Sequence, residues 1–171
     1  NTEAGHDNVI ASKEALTASG ATYIDLGIEM ANGIFDANPI SSTNDTKRNR
    51  VVVVFTDGAP GYDGKWNNKD YGRSGDAEAV ANAAIKNAKD TKNTYGATVY
   101  TIGIFSGANP DATDNSNKFM NYVSSNYKNA ESMTNPGDST KPADSGYYLS
   151  ANNAEDLNDI FQKISQEIQT G

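Results

Sequence analysis

The chain has 171 residues, with 22 acidic side chains against 14 basic ones and a formal net charge of -8. This acidic balance argues against a nucleic-acid binder or a binder of anionic membranes, because both classes rely on Lys and Arg. The length suits one domain spanning residues 1–171, and no apolar run approaches the roughly 20 residues that a membrane span needs. Cysteine is absent, which excludes disulfides, thiolate metal sites and thiol catalysis.

The amino-terminal region carries the only histidine, His6. A lone His in a polar terminal segment is a poor candidate for the base of a catalytic triad. The first 20 residues contain no apolar stretch of the roughly 7–15 residues typical of a signal peptide, and Asn1 is not an initiator Met. We therefore expect a processed or trimmed piece of a longer protein. Residues 7–18 have the pattern of a short helix.

The first strongly marked helix follows Thr22. Thr22 and Asp25 have the spacing of a capping box, in which a hydroxyl is followed three residues later by a carboxylate. Pro39 ends the helix, because proline disfavours helical backbone at the residue before it. The larger apolar residues and one glycine of this helix share one face: Leu26, Met30, Gly33 and Ile34.

Three strands are predicted. The strongest is Val51–Phe55, whose four valines and one phenylalanine do not alternate with polar residues. Such a run indicates a strand that is covered on both faces, as in a parallel sheet. Thr98–Phe105 is the second strand and Tyr147–Leu149 is a short third one. Between residues 131 and 146 the composition is that of a loop.

Three further helices alternate with these strands. The first begins at Asp76 and closes before Gly96, the second spans residues 115–127, and Asn153 and Asp156 cap the last. Each carries an apolar stripe at helical spacing. The stripes are Val80, Ala84, Ile85 and Ala88 in the first, Phe119, Met120, Val123 and Tyr127 in the second, and Leu157, Ile160, Phe161, Ile164 and Ile168 in the last.

This alternation of helices and strands predicts an α/β fold with an open parallel sheet flanked by helices. If the strands lie in sequence order, Val51–Phe55 forms an edge of the sheet. An exposed apolar edge promotes aggregation. We therefore expect a further strand to pair with it, and the sequence offers no further strand for that role.

Four segments, taken together, resemble the von Willebrand factor type A domain. They are SGATYID at 19–25, RVVVVFTDGAP at 50–60, ATVYTIGIF at 97–105 and YYLSA at 147–151, the last followed by an amphipathic helix. The resemblance covers nearly the whole chain in order, and residues 123–148 are similar to the variety found in surface proteins of Gram-positive bacteria. It implies a Rossmann-like sheet in an extracellular protein, either secreted or on the bacterial cell surface.

That family carries a metal-ion-dependent adhesion site built from an Asp-x-Ser-x-Ser loop, a Thr on a second loop and an Asp at the end of a central strand. The resemblance assigns the second part to Thr22 and the third to Asp57. The first part is absent, since the nearest string, DNSNK at 114–118, lacks the last Ser and follows no strand. The chain thus resembles the carboxyl-terminal part of the domain, without its amino-terminal strands.

A metal is implied together with that missing part. The resemblance implies Mg²⁺, or Mn²⁺ or Ca²⁺, bound only when an upstream segment with the Asp-x-Ser-x-Ser loop is present. That segment would lie before Asn1 or belong to a separate chain. Mg²⁺ prefers oxygen ligands in octahedral geometry, so the two side chains offered here would form only part of the site.

The rim of such a site is also predicted. Ligands of open α/β sheets bind beyond the carboxyl ends of the strands, which points to Gly58 and Ala59 after the first strand and to Ser106 and Gly107 after the second. From its position alone, Asp57 is better explained by an Asp-Gly turn than by a ligand or metal role. The spacing of Thr22 fits a helix cap, and a loop entering a helix can also present its hydroxyl to an ion.

Three functions remain open. The favoured one is a non-enzymatic adhesion module that binds a host or matrix protein through an acidic group of that protein. The second is an α/β enzyme that uses Asp57 in metal-assisted phosphoryl transfer, although Phe55 and Ala59 occupy the positions where an Asp-x-Asp pair would have its second acid, and no phosphate-binding loop is present. The third is an inert scaffold with a vestigial site.

Overall fold

The computed structural model describes residues 22–40, 49–57, 77–137 and 146–170. The predicted helix at 7–18 and His6 lie outside these ranges. Helices and strands alternate along the described chain. The elements are α1 (Ile24–Ala37), β1 (Val51–Thr56), α2 (Ala77–Asn93), β2 (Thr98–Gly103), α3 (Asn115–Val123), β3 (Tyr148–Ser150) and α4 (Ala154–Thr170).

The strands of the described residues form one parallel sheet in the order β1-β2-β3. β1 pairs with β2 from Val51 opposite Thr98 to Thr56 opposite Gly103. β3 pairs with the second half of β2. The predicted open parallel α/β sheet is therefore confirmed. Because the spatial order follows the sequence, β1 lies at one edge of the described sheet.

Helices pack on both faces of this sheet because successive residues of a strand point to opposite faces. On one face, Val52 and Val54 of β1 join a core formed with α1, α2 and α3. On the other face, Val51 joins a second core that contains Tyr100 and Ile102 of β2. Helix α4 supplies the cover of that second core through Ile160 and Ile164, whereas Phe161 and Ile168 of the predicted stripe remain exposed.

Several element boundaries differ from the prediction, and β1 extends one residue further than predicted, to Thr56. β2 ends at Gly103 instead of Phe105, because the carbonyl of Phe105 already accepts from the amide of Ala108 in a turn. α3 ends at Val123, since Ser124 has extended backbone with φ -68° and ψ 170°. Tyr127 therefore lies outside the helix. β3 is shifted by one residue, to Tyr148–Ser150.

The predicted capping box at Thr22 is wrong. Helix α1 begins at Ile24 with Tyr23 as its N-cap, and no side-chain cap hydrogen bond is made there. Thr22 therefore precedes the cap, and Asp25 lies one residue too early in the first turn for the capping-box pairing. Asp25 is instead fully buried. The predicted carboxyl end is confirmed, with Ala37 as the last helical residue before Asn38 and Pro39.

The apolar face predicted for α1 is largely exposed within the described residues. Met30 is 72% exposed and Ile34 61% exposed, whereas the helix buries Ile24, Asp25 and Ile28. β1 is also less buried than predicted. It was expected to be covered on both faces, but Val53 is 39% and Phe55 48% exposed. These four side chains belong to two elements that pack against each other at the same edge of the sheet.

Arg50, just before β1, joins the start of that strand to the end of α1. Its guanidinium donates to the carbonyl oxygen of Asn38 at 2.7 Å and lies over the ring of Phe35, 4.9 Å from the centroid. The hydrogen bond satisfies a carbonyl beyond the last helical turn, where no amide of the helix is available. α1 is therefore anchored to β1 at the end of the sheet opposite Asp57.

Candidate functional site

The carboxyl ends of β1 and β2 meet at one edge of the sheet, where the ligand rim was predicted. Thr56 pairs with Gly103, and the amide of Ile104 donates to the carbonyl of Thr56 at 3.0 Å. Asp57 follows β1 directly and is exposed. Ser106 and Gly107 are also exposed, in the turn after β2. Gly58 and Ala59, the other predicted rim residues, lie outside the described residues.

Thr22 lies in a cleft beside β1. The cleft has a volume of about 330 Å³ and is lined by residues 22–24, 27 and 28 and by residues 52–55 of β1. The hydroxyl-bearing residue preceding α1 is therefore next to the strand that ends before Asp57. The pairing of Thr22 and Asp57 around one ion stays a prediction.

The chemistry of these two side chains suits part of a magnesium site. A threonine hydroxyl and an aspartate carboxylate are both oxygen ligands, which hard cations prefer. They provide two ligands where octahedral coordination takes about six, counting waters. Within the four described ranges, no three His, Cys, Asp or Glu side chains are grouped so that they could hold a metal ion.

The segment that links β2 to α3, residues 104–114, is called the rim loop below. Its last residue, Asp114, is the N-cap of α3 and accepts from the backbone amides of Ser116 and Asn117 at 3.1 and 3.2 Å. These bonds satisfy two of the amides that a helix amino terminus leaves without partners. The rim loop is thereby joined to a fixed helix end.

Asn117 extends this connection into the rim loop. Its amide nitrogen donates to the carbonyl of Gly107 at 2.9 Å and to the Asp114 carboxylate at 2.6 Å. Its amide oxygen accepts from the backbone of Asn109 at 2.8 Å and from the Tyr148 hydroxyl at 2.5 Å. Sequence reasoning missed this residue, although Asn117 and Asn121 are one helical turn apart and next to the apolar stripe of α3, which was a usable signal.

The ionisation of Asp114 should make the stability of the folded chain depend on pH. Its pKa lies below the ordinary carboxyl value, first because the Asn117 side chain donates to it and then because the Asn117 backbone amide does. The folded chain thus favours ionised Asp114, so this stabilisation is present above the unfolded pKa and lost as pH falls through the folded pKa. We expect Asp114→Asn to flatten the loss of stability that begins as pH falls below the ordinary carboxyl pKa of 3.8, measured by urea midpoints. An unchanged pH profile would contradict this.

Comparison with known proteins identifies no relative: no protein-family model matches the chain, and no curated protein and no solved structure matches it significantly. Among the described helices, none combines the length and the apolar character needed to cross a membrane.

Proposed function

We propose that this chain is the carboxyl-terminal part of a von Willebrand factor type A domain that serves as an adhesion module of an extracellular bacterial protein. The observation that carries the proposal is the position of β1. It is an apolar parallel strand that leads directly to Asp57 and runs beside a cleft lined by Thr22. A ligand site at the carboxyl end of a parallel sheet is the arrangement expected for this architecture.

The exposed edge of the sheet supports the proposal that a further strand pairs with β1 in the complete domain. Val53 and Phe55 are half exposed there, and burying one such side chain contributes roughly 1.5–3 kcal/mol. The exposed Met30 and Ile34 of α1 support the same conclusion. A helix about 10 Å wide spans about two strands spaced about 4.8 Å apart, so α1 would cover added strands as well as β1.

The proposed metal ligands come from both parts of the domain. Thr22 and Asp57 would supply two oxygen ligands, and the added part would supply the Asp-x-Ser-x-Ser loop next to Asp57. Mg²⁺ keeps some of its coordination positions for water or substrate groups. An acidic group of a host or matrix protein would take one such position, which would make adhesion dependent on the metal.

The test is calorimetric titration with Mg²⁺ of residues 1–171 alone and of the same chain extended by the protein's own upstream residues. We expect the extended chain to bind at least about tenfold more tightly, because it completes the ligand set. Thr22→Ala and Asp57→Ala should each weaken binding to the extended chain. Asp159→Ala, at an exposed position of α4 far along the chain, is the matched control.

Three results would contradict this proposal in whole or in part. Equal Mg²⁺ affinity of the short and the extended chains would show that the added part supplies no ligands. Metal-dependent turnover of phosphoesters that is lost in Asp57→Ala would favour the enzymatic alternative. If the extended chain binds Mg²⁺ with neither Thr22 nor Asp57 required, the assignment of these ligands is wrong even if the domain is completed as proposed.

A further inference from the structure

The amide of Asn117 has its full complement of hydrogen bonds, in an environment that leaves it 1% exposed. An asparagine side chain offers two donor hydrogens and two acceptor positions on its oxygen. All four are used, on Gly107, Asp114, Asn109 and Tyr148. Rotating the amide by 180° would place its oxygen against the carbonyl of Gly107 and the carboxylate of Asp114. The side chain therefore has one acceptable orientation.

The partners of Asn117 on either side are themselves fixed. Tyr148 belongs to β3 and is 1% exposed, and burial raises the pKa of its hydroxyl to about 12, so it remains a donor across the physiological range. Asp114 is the N-cap of α3. Asn117 thus connects two points of the rim loop, Gly107 and Asn109, to a strand of the sheet and to a helix end.

Asn121, one helical turn further along α3, adds a third point of attachment. Its amide nitrogen donates to the carbonyl of Pro110 at 2.9 Å. Gly107 has a φ of +86°, a backbone conformation that residues other than glycine rarely adopt. The backbone of the rim loop is therefore held at residues 107, 109 and 110 by side chains from inside the protein, whereas Ser106, Asn109 and Asp111 remain exposed on its outer surface.

We propose that Asn117 is a positioning residue that holds the rim loop in its binding shape before a partner arrives. That the loop forms part of a binding surface rests on the proposed function, but its order is a property of this chain alone. A loop that is ordered in advance loses less conformational entropy on binding. The exposed side chains between β2 and α3 would then select partners as a rigid surface.

Hydrogen exchange of Asn117→Ala in residues 1–171, resolved by residue, tests this inference. The amide of Asn109 loses its acceptor, and we expect the protected amides of the rim loop to exchange on the order of tenfold faster. The amides of β2 should keep their protection relative to the global stability of the variant. Asn87→Ala is the matched control, because Asn87 donates to the backbone of Asp25 in α1, at 3.0 Å, and not to the rim loop.

A second variant keeps the test decisive if Asn117→Ala does not fold. Tyr148→Phe removes one hydrogen bond to Asn117 and leaves its bonds to the loop, so a smaller but selective acceleration of rim-loop exchange is expected. Unchanged loop exchange in the folded variants would overturn the inference. So would an equal loss of protection in the loop and in β2, since Asn117 would then stabilise the whole fold only. A failed Mg²⁺ titration of the extended chain would remove the proposed function but would not alter these results.

Discussion

Replacing Lys92 with methionine is expected to lower the free energy of unfolding by about 3 kcal/mol. Lys92 lies on α2 and is 4% exposed. Its ammonium group donates to backbone carbonyls at the end of α3 and in the turn beyond it, including those of Tyr122 and Ser124 at 3.0 Å and of Tyr127 at 2.7 Å. Methionine has a similar length and no donor, so these buried carbonyls would lose their charged partner.

The size of this effect follows from the type of bond. The last carbonyls of a helix receive no hydrogen bond from the helix itself, and hydrogen bonds to charged groups contribute about 1.5–3 kcal/mol each. The lost bonds are partly offset because the variant no longer buries an ammonium group. Several bonds break at once, so the net effect is larger than that of most single substitutions.

Urea unfolding measures this difference. We expect a lower midpoint with an unchanged slope, which would identify a change in stability without a change in the surface exposed on unfolding. Lys86→Met is the matched control, because Lys86 lies on the same helix and is exposed. Equal midpoints for the two variants would show that the carbonyl contacts of Lys92 contribute little.

The sequence pattern predicted the elements of this fold better than their ends. The valine run of β1 forms the strand that its unbroken apolar sequence indicated, and the stripe of α2 forms the buried helix face that its periodicity indicated: Val80, Ala84, Ile85 and Ala88. The stripe of α2 repeats over several helical turns, so its signal does not depend on any single residue. The end of α3 was misplaced because Ser124 leaves the helix where Lys92 binds the carbonyls, and this contact joins residues 32 positions apart.

The candidate site was predictable only in part. The strand-end position of Asp57 follows from a short local motif, and the structure has β1 ending at Thr56 immediately before it. Thr22 was mistaken for a helix cap because its spacing to Asp25 matches a capping box, whereas the helix begins one residue later, with Tyr23 as its N-cap. The role of Asn117 depends on partners from two other segments, which no local pattern specifies.

The second large effect is expected at the edge strand β1 and concerns self-association of the chain. In a parallel ladder, alternate residues direct their amide and carbonyl groups to the same neighbour. The carbonyls of Arg50 and Thr56 accept from Thr98 and Ile104, on the β2 side. The backbone groups of Val53 therefore point away from β2, at the edge of the described sheet. We expect residues 1–171 alone to self-associate through this edge, because an exposed apolar strand is a template for pairing.

A lysine at position 53 should prevent that association and also block completion of the domain. Val53→Lys places a charge on the edge strand, which natural sheets use to avoid edge-to-edge pairing. By light scattering after size exclusion, we expect the variant to remain monomeric at concentrations where the unchanged chain forms larger species. In the extended chain, the same lysine should weaken Mg²⁺ binding, since its charge would be buried on the sheet face once a further strand lies beside β1.

The control for this experiment adds the same charge elsewhere. Thr94→Lys lies at an exposed position just after α2, so it should leave both self-association and Mg²⁺ binding unchanged. If the unchanged chain alone is monomeric at high concentration and unfolds cooperatively, its edge is closed by residues of the chain itself. The proposal of a domain completed by a further segment would then be wrong, because β1 would have no free edge to receive that segment.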